Sequence, residues 1–570
     1  MAVGPAWRIL GPLAAVNILG INCFAHDTAA ALLVDGEPVA FVEEERLNRD
    51  KHTKAFPDSA IQFCLDRAGI SINEVDVVAF AHRAGLDFRR GALDAIKRVA
   101  PKRLAAQTYV DIGLVRKQQA FVRRWRYRGK VVNVEHHLAH AASAFYPSGF
   151  DEAAVLTLDR GGDFLSTTLG HGRDTQLTIE KEVGNPDSLG EIYTALTWYL
   201  GFKPNCDEGK VMGLAPYGRD RFAKEFRDLV RLTDDGLFEV NLDWFNYQRE
   251  GKPLAPKFIE RYGPPRGPNA ELNEHHEDIA FALQDVIEEA GLHIARALHD
   301  ATGSTNLAIA GGVALNSVMN ARLLNETPFE RLFVQASAGD AGNALGAALY
   351  VWHALLGHTR EWTMTHPFLG PEPGEGELKR TVEKEGGLSW REVKDPATEA
   401  ARMIAGGKIV GWFNGRAEIG PRALGARSIL ADPRRAEMKD IVNERVKHRE
   451  PFRPFAPAVL DEAGDEYFDN YATNPFMLLV LPIRHDKRGA IPAVTHVDGT
   501  GRLQSVTRDG FPEFHRLIEA FGAETGVPVV LNTSFNVMGE PIVNKPDEAV
   551  NDFLSTGMDA LFLGPYLTEK

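Results

Sequence analysis

Asn17–Gly36 reads NILGINCFAHDTAAALLVDG, and Ala153–Gly172 reads AAVLTLDRGGDFLSTTLGHG. Each stretch is an apolar run, a polar turn with an aspartate, a second apolar run and a glycine-bearing turn. This spacing predicts strand, turn, strand. A strand–turn–strand unit used twice is how the actin and sugar-kinase ATPases build their two phosphate-binding halves. A third element, Leu307–Asn316, runs from an apolar segment into Gly311-Gly312 and a helical pattern. Glycine pairs let backbone N–H groups approach phosphate or ribose, and a helix start favours anions. Short strands alternating with helical segments, including Phe281–Gly303 and Ala344–Leu356, predict βαβ units and an α/β fold.

Around this frame the chain has 570 residues, 44% hydrophobic and 25% charged, with a formal net charge of −14. Such a balance builds large cores and repels phosphate backbones, so nucleic acid is not an expected partner. Three cysteines without a C-x-x-C pair exclude a disulfide framework and point to a reducing, cytoplasmic compartment. No apolar run is long enough to span a bilayer. The first strand is expected at Asn17–Asn22, after an extension over residues 1–16. The Pro/Gly-rich stretch Pro367–Gly376 is the expected linker. Residues 17–366 and 378–570 are the expected domains. Phe88–Lys130 carries thirteen Lys or Arg and two acids. It reads either as a solvated helical face or as a site for an anionic or lipid-linked substrate. Aromatic residues over Val230–Arg266 (Phe238, Trp244, Phe245, Tyr247 and Tyr262) suit either a sugar platform or a packed insertion.

Two stretches carry chemistry. In Glu135-His136-His137-Leu138-Ala139-His140-Ala141, His136 and His140 stand one helical turn apart, so both imidazoles leave the same face. The glutamate of the H-E-x-x-H proteases is missing, so metal-hydroxide proteolysis is not implied. Asp159 and Asp340 lie near predicted strand ends and supply carboxylates. Two histidines with two carboxylates suit Fe(II), Mn(II) or Zn(II). The second stretch joins Gly420-Pro421-Arg422 to Lys447, Arg449 and Arg453, with Ser534 and Asn536 following the apolar run Val527–Leu531. Arginine forks bind phosphate bidentately and lysine adds a point charge, so Arg422, Lys447, Arg453 and Ser534 are read as a polyanion site.

HHLAHA, AGGVALN, GPRALGARS, FRPFAP and LNTSFN, in this order, resemble the O-carbamoyltransferases of nodulation-factor and antibiotic biosynthesis. The resemblance covers the chain beyond its first residues. It implies an actin/sugar-kinase-like N-terminal domain and a YrdC-like α/β twisted-sheet domain after it. It also implies that ATP and carbamoyl phosphate are co-substrates. It implies further that carbamoyl adenylate forms in the second domain, and that its carbamoyl group moves in the first to a hydroxyl of a small-molecule acceptor. By the same resemblance one divalent metal, most often iron, with Mn, Zn or Mg as alternatives, is held by His136, His140, Asp159 and Asp340. The adenylate-forming site uses Arg422, Lys447, Arg453, Arg502, Ser534 and Asn536. The transfer site uses His26 and Lys51, and Gly311, Gly312 and Asn316 touch the nucleotide. A homodimer is compatible with the sequence. One departure is Arg160, where relatives often place glycine directly after the aspartate.

Three other readings compete. A tRNA threonylcarbamoyl-transfer enzyme shares both folds but suits the acidic charge badly. A sugar kinase leaves the second domain's cations unused. A nucleotide-gated scaffold would bind ATP without carbamoyl phosphate.

Overall fold

The computed structural model describes residues 15–23, 26–83, 101–246, 252–268 and 270–570. The opening stretch folds as expected. Strands β1 (Asn17–Asn22), β2 (Ala29–Val34) and β3 (Glu37–Glu43) form an antiparallel meander. Strands β4 (Val77–Phe80) and β5 (Lys130–Asn133) then add in parallel beside β1, giving the order β3-β2-β1-β4-β5. The second stretch repeats the plan. Strands β6 (Glu152–Gly162), β7 (Leu165–Arg173) and β8 (Gln176–Gly184) form the meander.

A small hairpin, β9 (Val230–Leu232) with β10 (Phe238–Val240), interrupts. Next β11 (Asn306–Ala310) and β12 (Arg331–Val334) lie parallel beside β6, so the order β12-β11-β6-β7-β8 matches the first sheet. Strand β11 is therefore the counterpart of β4, and the glycine turn and helix expected after it follow. Strands β1 and β6 have every residue or nearly every residue buried, as expected where helices cover both faces of a sheet.

Two helices pack between the halves: α1 (His136–Phe145) and, after α2 (Glu274–Thr302) and α3 (Ser317–Glu326), α4 (Asn343–Tyr350). Their contact is close because Gly346 meets the Ala139 carbonyl, where a Cβ would stand 2.0 Å from the oxygen. Gly20 of β1 abuts Ala344 in the same way, at 1.8 Å. Small residues at these points bring α1, with its histidines, against both sheets.

The C-terminal part is one mixed nine-stranded sheet. Its strands are β13 (Trp390–Glu392), β14 (Val410–Phe413), β15 (Arg427–Ala431), β16 (Ala456–Leu460), β17 (Leu479–Pro482), β18 (Thr500–Val506), β19 (Val529–Ser534), β20 (Ala560–Leu563) and β21 (Tyr566–Glu569). The order is β13-β21-β20-β14-β15-β19-β16-β18-β17.

Pro367–Gly376 is not a free tether. Gly370 N–H donates to Ala417 O at 3.0 Å, Ala417 N–H to Pro371 O at 2.8 Å and Phe41 N–H to Leu369 O at 3.0 Å. The stretch is a strap held by both halves. The aromatic cluster is a packed insertion: Phe238, Trp244, Phe245 and Tyr262 are buried, with Tyr262 4.6 Å from the Phe258 ring. Tyr247 lies outside the described residues.

Part of the basic stretch lies outside them too. Its end forms the helix Pro101–Trp125, which buries Leu114 and Phe121. Lys117 donates to Cys23 O at 2.7 Å, and Arg124 pairs with Asp58. Among the described residues no helix is long and apolar enough to cross a membrane.

Candidate active site

The HHLAHA motif opens α1. Glu135 caps it, accepting Leu138 N–H at 2.8 Å. One turn apart, His136 and His140 point the same way, and their Nε2 atoms stand 3.1 Å apart. Asp159 comes from β6, whose pairing with β7 is broken between Leu158 and Gly162. This break frees the carboxylate to meet His136 Nε2 at 3.5 Å. Asp340, in the turn before α4, reaches His136 at 3.6 Å and His140 at 3.5 Å. All four side chains are buried, and their ligand atoms lie within 4.8 Å of one another.

With bonds of about 2.1 Å, neighbouring ligand atoms around one ion sit roughly 3.0–3.4 Å apart. The observed edges, 3.1 to 3.6 Å, lie at or just above that spacing, so a small inward shift would let the group hold a divalent cation. Asp159 is itself oriented by Gly312 N–H at 2.9 Å and Gly161 N–H at 3.0 Å. Asp163 accepts the backbone N–H of His136 at 2.7 Å and faces His82 at 2.7 Å. His137 turns away to Thr157 Oγ1 at 2.7 Å, and burial pushes its pKa down to about 3. The middle histidine of the motif is therefore a core residue.

Beside this cluster His26 Nδ1 stands 2.8 Å from one oxygen of Asp27, and His52 Nδ1 stands 2.7 Å from the other. Burial alone would lower the His52 pKa, but the hydrogen bond to Asp27, the neighbouring Cys206 and the charge of Asp27 raise it to about 10. Sequence reasoning named His26 and Lys51 but not Asp27 and His52, which line the same cavity. Their neighbours in the chain were the only signal: each directly follows a predicted site residue. Asp27 and His52 both take positive φ, 53° and 56°, in turns whose outcome side-chain patterning does not reveal.

The second cluster gathers on β18, β19 and the loops between β14 and β16. Lys447 is buried; its Nζ donates to Ser534 O at 2.7 Å and Asn536 Oδ1 at 2.7 Å. Burial and the charges of Arg449 and Arg453 hold the Lys447 pKa well below the usual lysine value. Arg422 is lowered to about 10 by burial and Arg453. Arg449 is lowered to about 9 by burial and Arg453. Arg502 falls well below its usual range through burial and the charges of Arg422, Arg449 and Arg453. Arg449 belongs to this cluster although it was not among the predicted site residues. So many crowded cations call for an anionic ligand.

One cavity of about 810 Å³ connects the clusters. Its lining includes His26, Lys51, Asp159, Gly312, Asn316 and Asp340 on one side, and Arg422, Lys447, Arg453, Arg502, Ser534 and Asn536 on the other. His136 and His140 lie behind Asp159 and Asp340. Gly311 is set back: its φ is 101° and a Cβ would stand 2.1 Å from Leu158 O, so it serves the turn. Asn316 caps α3, accepting Met319 N–H at 3.1 Å, and pairs with Gln284. Arg160, the departure noted above, lines the cavity and donates to Asn205 Oδ1 at 3.0 Å.

Two family models match the chain. Residues 17–349 match the family model described as carbamoyltransferase N-terminus, and 401–570 match carbamoyltransferase C-terminus. An uncharacterized protein of Synechocystis, sll1178, is 40% identical, over 97% of both chains. Nodulation protein NolNO of Sinorhizobium fredii is 40% identical over 96% of this chain and 80% of its own. The 3'-hydroxymethylcephem-O-carbamoyltransferase of Amycolatopsis lactamdurans is 28% identical over 95% of this chain and 96% of its own. With both halves matched, neither the kinase nor the scaffold reading stands, and the chain is a member of the O-carbamoyltransferase family.

Proposed function

We propose that the protein makes carbamoyl adenylate from ATP and carbamoyl phosphate at the cationic end of the cavity. The carbamoyl group then passes to a hydroxyl of a small-molecule acceptor at the His/Asp end. The single observation that carries this reading is the continuous cavity with opposite charge chemistry at its two ends. Carbamate is a poor electrophile because nitrogen lone-pair donation quiets its carbonyl, so activation comes first. Water cleaves carbamoyl phosphate to carbamate and phosphate. A carbamate oxygen attacks the α-phosphorus of ATP, and pyrophosphate leaves. Arg422, Arg453, Arg502 and Lys447, with Ser534 and Asn536, hold the phosphates and their developing charge. The mixed anhydride hydrolyses in water, so a closed passage preserves it.

In the transfer step the acceptor oxygen bonds to the carbamoyl carbon, the bond to AMP oxygen breaks, and the hydroxyl proton goes to His26. With Nδ1–H of His26 facing Asp27, Nε2 carries the lone pair that takes the proton. Lys51 and the turn Gly311-Gly312 with Asn316 support the nucleotide. His136, His140, Asp159 and Asp340 would hold a divalent cation, Fe(II) by preference. Bound there, it would stabilise negative charge on the leaving phosphate. NolNO and the cephem carbamoyltransferase, by their names, point to a nodulation or antibiotic acceptor. Cytoplasmic biosynthesis fits that class.

The test is exchange of labelled pyrophosphate into ATP. Exchange that depends on carbamoyl phosphate is expected. Exchange that runs as fast without it rejects the reading.

A further inference from the structure

The segment Glu43–His52 does something that neither cluster accounts for. Glu43 closes β3, and Glu44–Asn48 is a short helix. Two arginines of this segment grip the C-terminal half. Arg46, buried to 3% exposure, donates Nη2–H to Gly420 O at 2.5 Å. Glu43, also buried, accepts Gly420 N–H at 2.6 Å. Both polar groups of one residue are thus held by side chains of the other half. Three residues after Arg46, Arg49 donates to Ile542 O at 2.7 Å and Pro541 O at 3.0 Å, with Glu548 at 3.3 Å.

The two gripped loops are the phosphate-binding ones. Gly420 precedes Pro421 and Arg422, and Pro541 and Ile542 follow the turn of Ser534 and Asn536; all except Gly420 line the cavity. Gly420 also abuts the other half. Its φ is +87°, and a Cβ would stand 2.1 Å from Ala336 O, four residues before Asp340. The segment itself runs on into Lys51 and His52, which face the cavity. Burying charged groups at such a joint is costly and contributes little net stability. Their value lies in fixing one arrangement.

We propose that Glu43, Arg46 and Arg49 are positioning residues that lock the two phosphate-binding loops onto the transfer half, so that carbamoyl adenylate crosses the cavity without escaping to water. This rests on the adenylate reading above. None of the three is among the residues assigned above to the reaction or to the metal-binding group, although Arg46 also lines the cavity wall.

The experiment uses the full chain, the acceptor, ATP and carbamoyl phosphate, and measures three quantities: pyrophosphate exchange, pyrophosphate released and acceptor carbamoylated. The variants are Arg46→Lys, Arg49→Ala and Glu43→Gln, each with its melting curve. Exchange should stay near the wild-type rate. Product formed per pyrophosphate released should fall about tenfold, the change expected when one charge-assisted contact is lost. The missing carbamoyl groups should be recovered as carbon dioxide and ammonia. Arg49 is a quarter exposed, so Arg49→Ala keeps the test open if the buried variants melt early. An unchanged ratio overturns the proposal. So does a parallel fall in exchange and product at constant ratio, because that is simple loss of folded enzyme. A wild-type enzyme without carbamoyl-phosphate-dependent exchange refutes the adenylate reading instead, and is recognised before any variant is made.

Discussion

The two ends of the cavity show the same physics with opposite sign. At one end two imidazoles face two carboxylates. Burial presses the His136 pKa down, yet the hydrogen bond to Asp159 and the charges of Asp340 and Asp159 raise it to about 9. At the other end burial and repulsion act together. Arg422, Arg449, Arg502 and Lys447 all fall, with only Asp552 and Glu450 acting against the trend. The first end has donor atoms converging on a point and suits a cation. The second has donor hydrogens converging on a space and suits an anion. Net charge therefore says little about a site. A chain of −14 carries a strongly cationic end because acids are kept away from it locally.

Breaking the first end should give the largest effect. His136→Ala/His140→Ala should lose the bound divalent metal, measured by elemental analysis of purified protein, and product formation with it. Pyrophosphate exchange should survive, since no group of the second end is touched. Metal content equal to wild type would rule out these ligands. His26→Asn tests the boundary between the ends. It should keep exchange but lose product by about 10²–10⁴-fold, the usual cost of removing a general base. Loss of exchange in this variant would merge the two ends into one site.

Arg422→Ala and Arg453→Ala should each slow exchange and product by about 10²–10³-fold, by analogy with removal of one oxyanion donor. Synthetic carbamoyl adenylate, supplied directly, should restore product. Failure of that rescue would place the arginines in the transfer step as well. Folding must be checked for both, because the stem of a buried arginine also packs.

Much of the first end was legible because helix and strand periodicities are local. His136 and His140 needed only a spacing of four, and the repeated strand–turn–strand needed only alternation and glycine. The four clustered residues that could hold a cation assemble from α1, β6 and the turn before α4, and each was named in advance. The second end was legible through arginines set among Gly and Pro. Arg449 escaped, although it sits two residues from Lys447, because nothing local separates a clamp from a neighbour. Leu307–Asn316 was read as strand, glycine turn and helix, which it is, but strand pattern alone did not reveal its place in the sheet order. The aromatic cluster was undecidable for a similar reason: packing partners such as Phe226 and Phe258 are set by tertiary contact. Gly420 lies 374 and 377 positions from Arg46 and Glu43, so no window of sequence joins them.

The smallest expected effect sharpens the comparison at the turn between the ends. Asp27 holds His26 and His52 at 2.8 and 2.7 Å, and the His52 pKa rises from 6.5 to about 10. A histidine that binds its proton more tightly when folded stabilises the fold in full below pH 6.5. That contribution is lost as pH climbs through about 10. The Asp27 carboxyl is held below its usual value despite burial, through its hydrogen bonds to both histidines, so its own contribution is present above about pH 4. Asp27→Asn removes the charge while leaving the volume. The melting-temperature gap between wild type and Asp27→Asn should then be widest between about pH 4 and 6.5, and should close toward pH 10. Melting curves across that range decide it. A gap that is flat with pH would mean that Asp27 acts through packing or a neutral hydrogen bond. A gap that widens in alkali would mean that His52 is neutral in the fold and that the turn is not charged as described.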